Sequence, residues 1–288
     1  MTPRSNNNKP NGEITRVAVV TGSSSGIGFE TSLMLARNGF QTYATMRDPE
    51  KGENIKSIAT KENLPIYIEQ LDVTDNKSVT NAIQAIVSKA DRIDVLVNNA
   101  GYALTGAFED LAIEEIKAQY ETNLFGLIRT SQAVLPIMRK QKSGTIVNIS
   151  SGAGRFGYPG GSAYVSTKFA VEGLSESMAY ELEPFGIKVI LIEPGVIKTN
   201  FANGIVVAEK SQNPNSPYSQ IMQKMSTSFE HMLENASPDL VAKVVLKAVT
   251  SENPSLRYLA GKDVEMWIQA KRNMSDDEFY KMMMQSFN

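Results

Sequence analysis

A glycine-rich turn near the N-terminus limits what this chain can fold into more than any other feature. The apolar run Arg16–Thr21 is typical of a buried strand, and it leads through Gly22-Ser-Ser-Ser-Gly26-Ile-Gly28 into a helical pattern from Phe29 to Asn38. Glycines let the backbone approach a bound group closely, and the free N–H groups at a helix start favour a pyrophosphate. Strand, turn and helix together predict a dinucleotide site.

Strand-like apolar runs alternate with helical patterns along the rest of the chain. This alternation predicts an α/β fold, in which helices cover both faces of a parallel sheet and right-handed crossovers make the sheet doubly wound. Long helices are predicted from Ile113 to Lys140 and from Ala163 to Glu183. The seven predicted strands are Arg16–Thr21, Gln41–Met46, Pro65–Leu71, Val95–Asn98, Thr145–Ile149, Lys188–Ile192 and Arg257–Ala260.

Length and composition favour one domain. The chain has 288 residues, of which 42% are hydrophobic, enough for a sizeable core, and no shift in composition marks a second domain. We expect a disordered tail over residues 1–13 and a single domain over 14–288. Within it, 203–236 is polar and 264–288 is a Met-rich helical extension, where Ser275-Asp-Asp-Glu278 reads as a capping box. Phe279, Met282, Met283 and Phe287 then form an apolar stripe.

Charge and residue usage exclude several functions. The net charge is −2 and no basic stripe is present, so a nucleic-acid partner is not expected. The chain has no cysteine and its one histidine is His231, which rules out disulfides and the usual zinc ligand sets; we expect no metal. No apolar run is long enough to span a bilayer. The sequence is typical of a soluble, cytoplasmic protein.

Tyr164 and Lys168 are four residues apart, so one helical turn places the phenol and the ammonium on the same face. A nearby cation favours the phenolate and is expected to lower the tyrosine pKa from about 10 toward neutrality, where the hydroxyl can give and take a proton. The same spacing also occurs on ordinary solvated helices. The pair therefore indicates a proton-transfer site only in combination with the other motifs of the chain.

With these features, the chain resembles the short-chain dehydrogenase/reductase family in its compact single-domain branch, and is similar to its hydroxysteroid and retinol dehydrogenase-like members. The resemblance covers Arg16 to Gly261 and implies a Rossmann fold with strand order 3-2-1-4-5-6-7. It rests on Thr21-Gly-Ser-Ser-Ser-Gly-Ile-Gly28, Asn98-Asn-Ala-Gly101, Asn123, Ser150-Ser151, Tyr164-x-x-x-Lys168, and Pro194-Gly195 with Thr199.

The resemblance implies four catalytic residues. Tyr164 is the general acid in reduction and the base in oxidation, and Lys168 lowers its pKa and binds the nicotinamide ribose. Ser151, thirteen residues before the tyrosine, hydrogen-bonds the substrate oxygen, and Asn123 positions a water that links the lysine to solvent. Two plainer interpretations stay open: Asn123 as a buried polar residue at a helix distortion near Gly126, and Ser151 as a strand-end turn former.

The cofactor preference depends on the end of the second strand. Asp48 precedes Pro49, so its carboxylate is expected to cap the next helix, and the strand-end position itself holds Met46. Arg47 follows and suits a 2'-phosphate, which favours NADP(H) over NAD(H). Two plainer interpretations stay open here: Asp72 organises a strand-to-helix turn, and Pro194-Gly195 belongs to an ordinary loop. The implied cofactor-binding residues are Gly22, Ser24, Ser25, Gly26, Ile27, Gly28, Arg47, Asp72, Val73, Asn99, Ala100, Gly101, Tyr164, Lys168, Pro194, Gly195, Val196 and Thr199.

The implied activity is that of an NADP(H)-dependent carbonyl reductase or alcohol dehydrogenase acting on an apolar small molecule. Residues 203–236 fall where the family keeps a mobile substrate loop, and the Met-rich C-terminal helix is a lid, core or subunit contact. A homodimer or homotetramer is expected through the long helices. The alternatives are a dinucleotide-sensing regulatory protein on the same fold, and a nucleotide-sugar epimerase, whose Gly-x-x-Gly-x-x-Gly turn this chain lacks.

Overall fold

The computed structural model describes residues 15–197, 205–232 and 237–286, so the predicted tail, Thr199 and Phe287 lie outside the described residues. The strands are β1 (Val17–Thr21), β2 (Gln41–Met46), β3 (Ile66–Gln70), β4 (Val95–Asn98), β5 (Leu104–Thr105), β6 (Gly144–Ile149), β7 (Ile187–Pro194), β8 (Val206–Val207) and β9 (Arg257–Ala260). The helices are α1 (Gly26–Arg37), α2 (Glu53–Glu62), α3 (Asn76–Ala90), α4 (Ile113–Tyr120), α5 (Gly126–Gln141), α6 (Ser162–Leu182), α7 (Ser219–Met232), α8 (Pro238–Thr250), α9 (Lys262–Asn273) and α10 (Asp276–Ser286).

Seven parallel strands form the main sheet in the order β3-β2-β1-β4-β6-β7-β9. Two short strands, β5 and β8, pair with each other in a separate small sheet. When they are left out of the numbering, the main sheet has the predicted order 3-2-1-4-5-6-7, so the doubly wound Rossmann fold is confirmed. Strand ends differ from the prediction by a residue or two, most visibly where β7 continues to Pro194. The described helices include none that is long and apolar enough to cross a membrane.

Alternating side chains of β1 divide the core into two layers. Val17 and Val19 pack in the layer that α3 and α5 cover, whereas Ala18 and Val20 pack in the layer that α1 and α8 cover. All four are fully buried, because successive strand residues point to opposite faces and both faces of a parallel sheet are covered. The carboxyl ends of the strands are thereby held side by side at one edge.

The predicted helix from Ile113 to Lys140 is not one regular helix. A five-residue π-helical turn, Glu121–Phe125, separates α4 from α5. Its wider turn shifts the phase of the buried face, so Leu127 is buried as the regular period predicts, but Ile113 is exposed. The sequence prediction of one continuous helix over these residues was therefore wrong at this turn.

Two later segments carry regular structure beside the sheet. The described part of 203–236 contains β8 and α7, and β8 pairs with β5 through the Val206 N–H, which donates to the Ala103 carbonyl at 2.8 Å. In the C-terminal extension the capping box is present, since Glu278 Oε2 accepts from Ser275 N at 2.8 Å. Phe279 and Met283 of α10 are buried in a cluster with Met225 of α7.

Candidate functional site

A cleft of about 1070 Å³ opens at the carboxyl ends of the main-sheet strands. This is where ligands of open α/β sheets bind. Of the predicted site residues, Gly28, Asn123 and Val196 do not line the cleft, and Thr199 lies outside the described residues. The predicted residues that line it are Gly22, Ser24, Ser25, Gly26, Ile27, Arg47, Asp72, Val73, Asn99, Ala100, Gly101, Ser151, Tyr164, Lys168, Pro194 and Gly195.

The glycine turn has the backbone that its residues predict. Gly22 and Gly26 adopt φ values of +68° and +61°, which favour glycine. A Cβ on Gly28 would overlap the Gly22 carbonyl oxygen and lie 2.5 Å from Asn99 Nδ2, so a glycine is required for this close packing. The N-cap residue of α1, Ser25, makes no side-chain cap, so the first N–H groups of the helix remain available to an anion.

Asn99 braces this turn in addition to lining the cleft. Its Nδ2 donates to the carbonyls of Thr21 at 2.9 Å and Gly22 at 3.2 Å. Thr21 Oγ1 in turn accepts from the backbone N–H groups of Asn99 and Ala100, both at 3.0 Å. The Asn99 side chain thus holds the ends of β1 and β4 together.

Ser151, Tyr164 and Lys168 meet at the base of the cleft. Tyr164 and Lys168 lie one turn apart on α6, and Lys168 Nζ is 5.6 Å from the centre of the Tyr164 ring. The Lys168 ammonium donates to the Ile149 carbonyl at 2.8 Å, and Ser151 hydrogen-bonds the Tyr164 side chain. A phenol, a hydroxyl and an ammonium are therefore presented together to an oxygen entering the cleft.

The electrostatics of this group differ from the sequence prediction. Burial raises the pKa of Tyr164 to about 12, and the hydrogen bond from Ser151 opposes the rise. The expected lowering toward neutrality is wrong for the protein by itself, because removing the phenolate from water outweighs the hydrogen bond. Burial also lowers the pKa of Lys168 to about 8, and the charge of Glu172 opposes that change.

Asn123 lies in the π turn and its side chain is fully engaged. Its Oδ1 accepts from Tyr102 N at 3.0 Å, while Nδ2 donates to Tyr102 O at 2.9 Å and to Thr167 Oγ1 at 3.3 Å. The side chain ties the segment after β4 to α6, which matches the interpretation as a buried polar residue at a helix distortion. Its role toward a water stays a prediction.

The end of β2 has the predicted arrangement. Met46 is buried, Arg47 is exposed and lines the cleft, and Asp48 Oδ1 accepts from Glu50 N at 3.1 Å as an N-cap. The Asp48 carboxylate thus has the capping role that the Asp-Pro sequence predicts. Lys51 also lines the cleft and was missed, because nothing in its sequence surroundings distinguishes it from a solvated lysine.

Two acidic side chains near the cleft accept hydrogen bonds from backbone N–H groups. Asp72 Oδ1 accepts from Thr74 N at 2.9 Å and from Thr74 Oγ1 at 2.7 Å, as expected for a turn organiser. Asp263, at the start of α9, accepts from Val196 N through Oδ2 at 2.7 Å. Sequence reasoning missed Asp263, since no local pattern connects two residues so far apart in the chain.

Comparison with known proteins agrees with this geometry. Residues 16–210 match the family described as short chain dehydrogenase. The oxidoreductase BOA17 of Botryotinia fuckeliana is 41% identical over 254 residues, 87% of this chain and 90% of that protein. The 3-ketodihydrosphingosine reductase of Bacteroides thetaiotaomicron is 34% identical over 272 residues, 94% of this chain and 97% of that protein.

Solved structures give the same result. The crystal structure of a short-chain dehydrogenase from Streptomyces avermitilis is 32% identical, covers 94% of this chain and 97% of its own, and has a TM-score of 0.82. Other solved structures that are similar to this chain hold NADP or NAD. The matched motifs, the parallel sheet and the relatives agree: the chain belongs to the short-chain dehydrogenase/reductase family of oxidoreductases.

Proposed function

We propose that this protein is an NADP(H)-dependent oxidoreductase that transfers a hydride between the nicotinamide and a carbonyl or secondary alcohol of an apolar substrate. The observation that carries the proposal is the group of Ser151, Tyr164 and Lys168 at the base of the dinucleotide-type cleft. A hydride acceptor needs a proton for its oxygen, and this group holds one in place.

The cleft fits a dinucleotide. The turn around Gly28 has no room for a Cβ, and the uncapped start of α1 offers N–H groups to a pyrophosphate. Ser24, Ser25, Arg47 and Lys51 line the same cleft, so hydroxyl and cationic groups are available to a 2'-phosphate. Since Asp48 caps the following turn, no strand-end acid is poised for the 2'-hydroxyl of NAD, and NADP(H) is favoured.

The chain's own groups account for the proton. When bound, the reduced nicotinamide supplies the hydride. Tyr164 keeps its proton at neutral pH, because burial raises the pKa of its phenol to about 12, so it is prepared to protonate the substrate oxygen. Ser151 hydrogen-bonds Tyr164 and can share the developing negative charge. The Lys168 ammonium, held on the Ile149 carbonyl, lies beside the phenol. This arrangement suits protonation of the substrate oxygen when a carbonyl is reduced.

The substrate side favours an apolar molecule. Tyr102, Leu104, Ile197 and Val206 line the cleft beyond Tyr164. Phe156, Tyr158 and Met222 pack with the buried α7 and α10 side chains, and methionines adapt to varied apolar shapes. The relative from Bacteroides thetaiotaomicron is named as a ketone reductase, which agrees with this substrate class.

The remaining proposals concern assembly and location. Phe125 in the π turn and Phe169 on α6 are large and exposed, and such faces support a homodimer or homotetramer. We place the protein in the cytoplasm, as one domain whose 203–236 segment acts as the substrate loop.

The experiment that tests the activity is a screen of ketones and aldehydes with NADPH, followed by loss of its absorbance. Tyr164→Phe removes the proton donor and should reduce kcat by at least about a hundredfold. Tyr180→Phe is the matched control, because Tyr180 is exposed on the same helix and should leave the rate unchanged. Activity that survives Tyr164→Phe would contradict the proton-transfer role, and NADPH binding without turnover of any carbonyl would support the regulatory alternative.

A further inference from the structure

A buried ionic cluster lies one helical turn beyond Lys168. Glu172 is one turn beyond Lys168 on α6, and its Oε2 is 3.0 Å from Arg257 Nε. Glu193, on β7, is 3.0 Å from Arg155 and 3.4 Å from the same Arg257 Nε. The arginines thus gather two carboxyl groups that are 6% and 0% exposed.

Three oxygen atoms in this cluster have no hydrogen-bond partner among the described residues. They are Ser150 Oγ, Glu172 Oε1 and Glu193 Oε2, and all three are buried. A Cβ on Gly154 would lie 2.9 Å from both Glu172 Cγ and Ser150 Oγ, so the glycine keeps the space between the acid and the serine open. A buried oxygen without a donor costs free energy, and the cost is largest for a charged one.

The charges in the cluster balance only when Lys168 is counted. Arg257 also binds Glu176, at 2.7 Å, so three carboxyl groups face two guanidinium groups, and the Lys168 ammonium, one turn before Glu172, is the third cation. Burial and the charge of Glu172 raise the pKa of Glu193 and outweigh the two arginines. Glu193 is held by both arginines, whereas Glu172 is the buried carboxyl group that lies one turn from Lys168 on the same helix.

We propose that Glu172, the buried carboxyl group one helical turn from Lys168, is a positioning residue that keeps Lys168 charged near neutral pH. The catalytic part of this inference rests on the proposed function, since Lys168 matters to turnover only if Tyr164 protonates a substrate there. The charge relation itself is a property of the folded chain.

The groups around Lys168 explain why one carboxylate matters. Tyr164 faces it on α6, and the Ile149 carbonyl accepts its hydrogen bond from β6. Arg155 and Arg257, from the segment after β6 and from β9, oppose a positive charge, and Glu176 is 47% exposed in its side chain. Burial disfavours the ammonium, and the charge of Glu172 is what opposes that loss.

A direct titration of Lys168 tests the relation without relying on turnover. The full chain is labelled with carbon-13 at the lysine side chains, and the Lys168 signal is identified by its loss in Lys168→Arg. We expect Glu172→Gln to lower the Lys168 titration midpoint by about one pH unit or more. Glu176→Gln is the matched control, because it loses a partner of the same arginine from an exposed position, and its midpoint should stay at the wild-type value.

Two further variants keep the inference open to contradiction if Glu172→Gln fails to fold. Glu193→Gln removes the other buried carboxyl of the cluster, which is held by both arginines, and should change the midpoint much less than Glu172→Gln. Glu172→Asp keeps the charge and should stay close to wild type. A fall in the midpoint with Glu193→Gln as large as that expected for Glu172→Gln, or an unchanged midpoint with Glu172→Gln, would overturn the assignment.

The consequence for turnover is measured separately. With NADPH and a ketone substrate, the alkaline limb of the kcat/KM profile should move to lower pH in Glu172→Gln and stay in place in Glu176→Gln. A limb that does not move while the titration midpoint falls would contradict the positioning role. A protein that turns over no carbonyl with NADPH would fail the proposed function, whereas the titration would still decide the charge relation.

Discussion

The two halves of the cleft are built in different ways. The cofactor half is made mainly of backbone: the turn from Gly22 to Gly28, the start of α1 and the ends of neighbouring strands. The substrate half is made mainly of side chains from segments far apart in sequence: Tyr102, Leu104, Ile197 and Val206. A backbone site tolerates few residue types but leaves a local pattern in the sequence. A side-chain site tolerates many and leaves almost none.

The largest expected effect comes from a substitution in the cofactor half of the cleft. Gly28→Ala places a methyl group against the Gly22 carbonyl and Asn99, where the backbone cannot yield easily, so we expect a loss of about 4 kcal/mol in the free energy of unfolding. Dinucleotide binding should be lost with it. Urea unfolding and NADPH fluorescence titration measure the two effects.

Gly173→Ala on α6 is its control. Apart from the backbone of α6 itself, no heavy atom of the described residues lies within 4 Å of a Cβ built there, so the added methyl group should be neutral or stabilise the helix by up to about 1 kcal/mol. Equal losses in both variants would mean that loss of glycine flexibility, and not the close approach, explains the effect.

The next effect should separate the halves. Phe279→Ala removes a buried ring that packs against Phe156 at 5.9 Å between ring centres, and should cost about 3 kcal/mol of stability. Phe279 packs in one cluster with Tyr158, and Tyr158 also packs with Tyr164, so the loss should reach the substrate half. Because no described α10 residue lines the cleft, we expect the KM for the ketone to rise while the Kd for NADPH stays within about twofold. Tyr280→Phe, exposed on the same helix, should change neither value. A parallel loss of NADPH affinity would show that the halves are coupled.

The smallest expected effect tests the cofactor preference within the cofactor half. Arg47→Ala should raise the KM for NADPH about tenfold, the effect of losing about 1.4 kcal/mol, because a guanidinium near the 2'-phosphate is removed. The KM for NADH should barely change, so NADH serves as the internal control. Steady-state rates with both cofactors measure this, and equal effects would contradict the proposed NADP(H) preference.

Sequence reasoning succeeded where the determining contacts are local. The strands were predicted from the apolar residues that form them. The Asp48-Pro49 pair specifies one helix cap, and Ser275 with Glu278 specifies another. The glycine positions follow from the space at the turn. These features need no knowledge of distant parts of the chain.

It failed where the outcome depends on residues brought together by folding. The bond from Val196 to Asp263 joins two elements without a shared motif. The pKa of Tyr164 moved in the direction opposite to the one predicted, because a sequence shows the neighbouring lysine but not how deeply the phenol is buried. The π turn entered the sequence analysis only as an alternative, a helix distortion near Gly126, because its residues also fit a regular helix of period 3.6.

That turn has a consequence for how the chain can change. Residues in a regular helix are spaced by about 100° around the axis, so deleting one residue between Glu121 and Phe125 would rotate α4 by that angle relative to α5. Asn123 would then face away from Tyr102, and the strand-to-helix connection that it secures would lose its anchor. Helix length at this point is therefore as constrained as residue identity, and insertions or deletions should be far less acceptable here than point substitutions on the exposed face of α5.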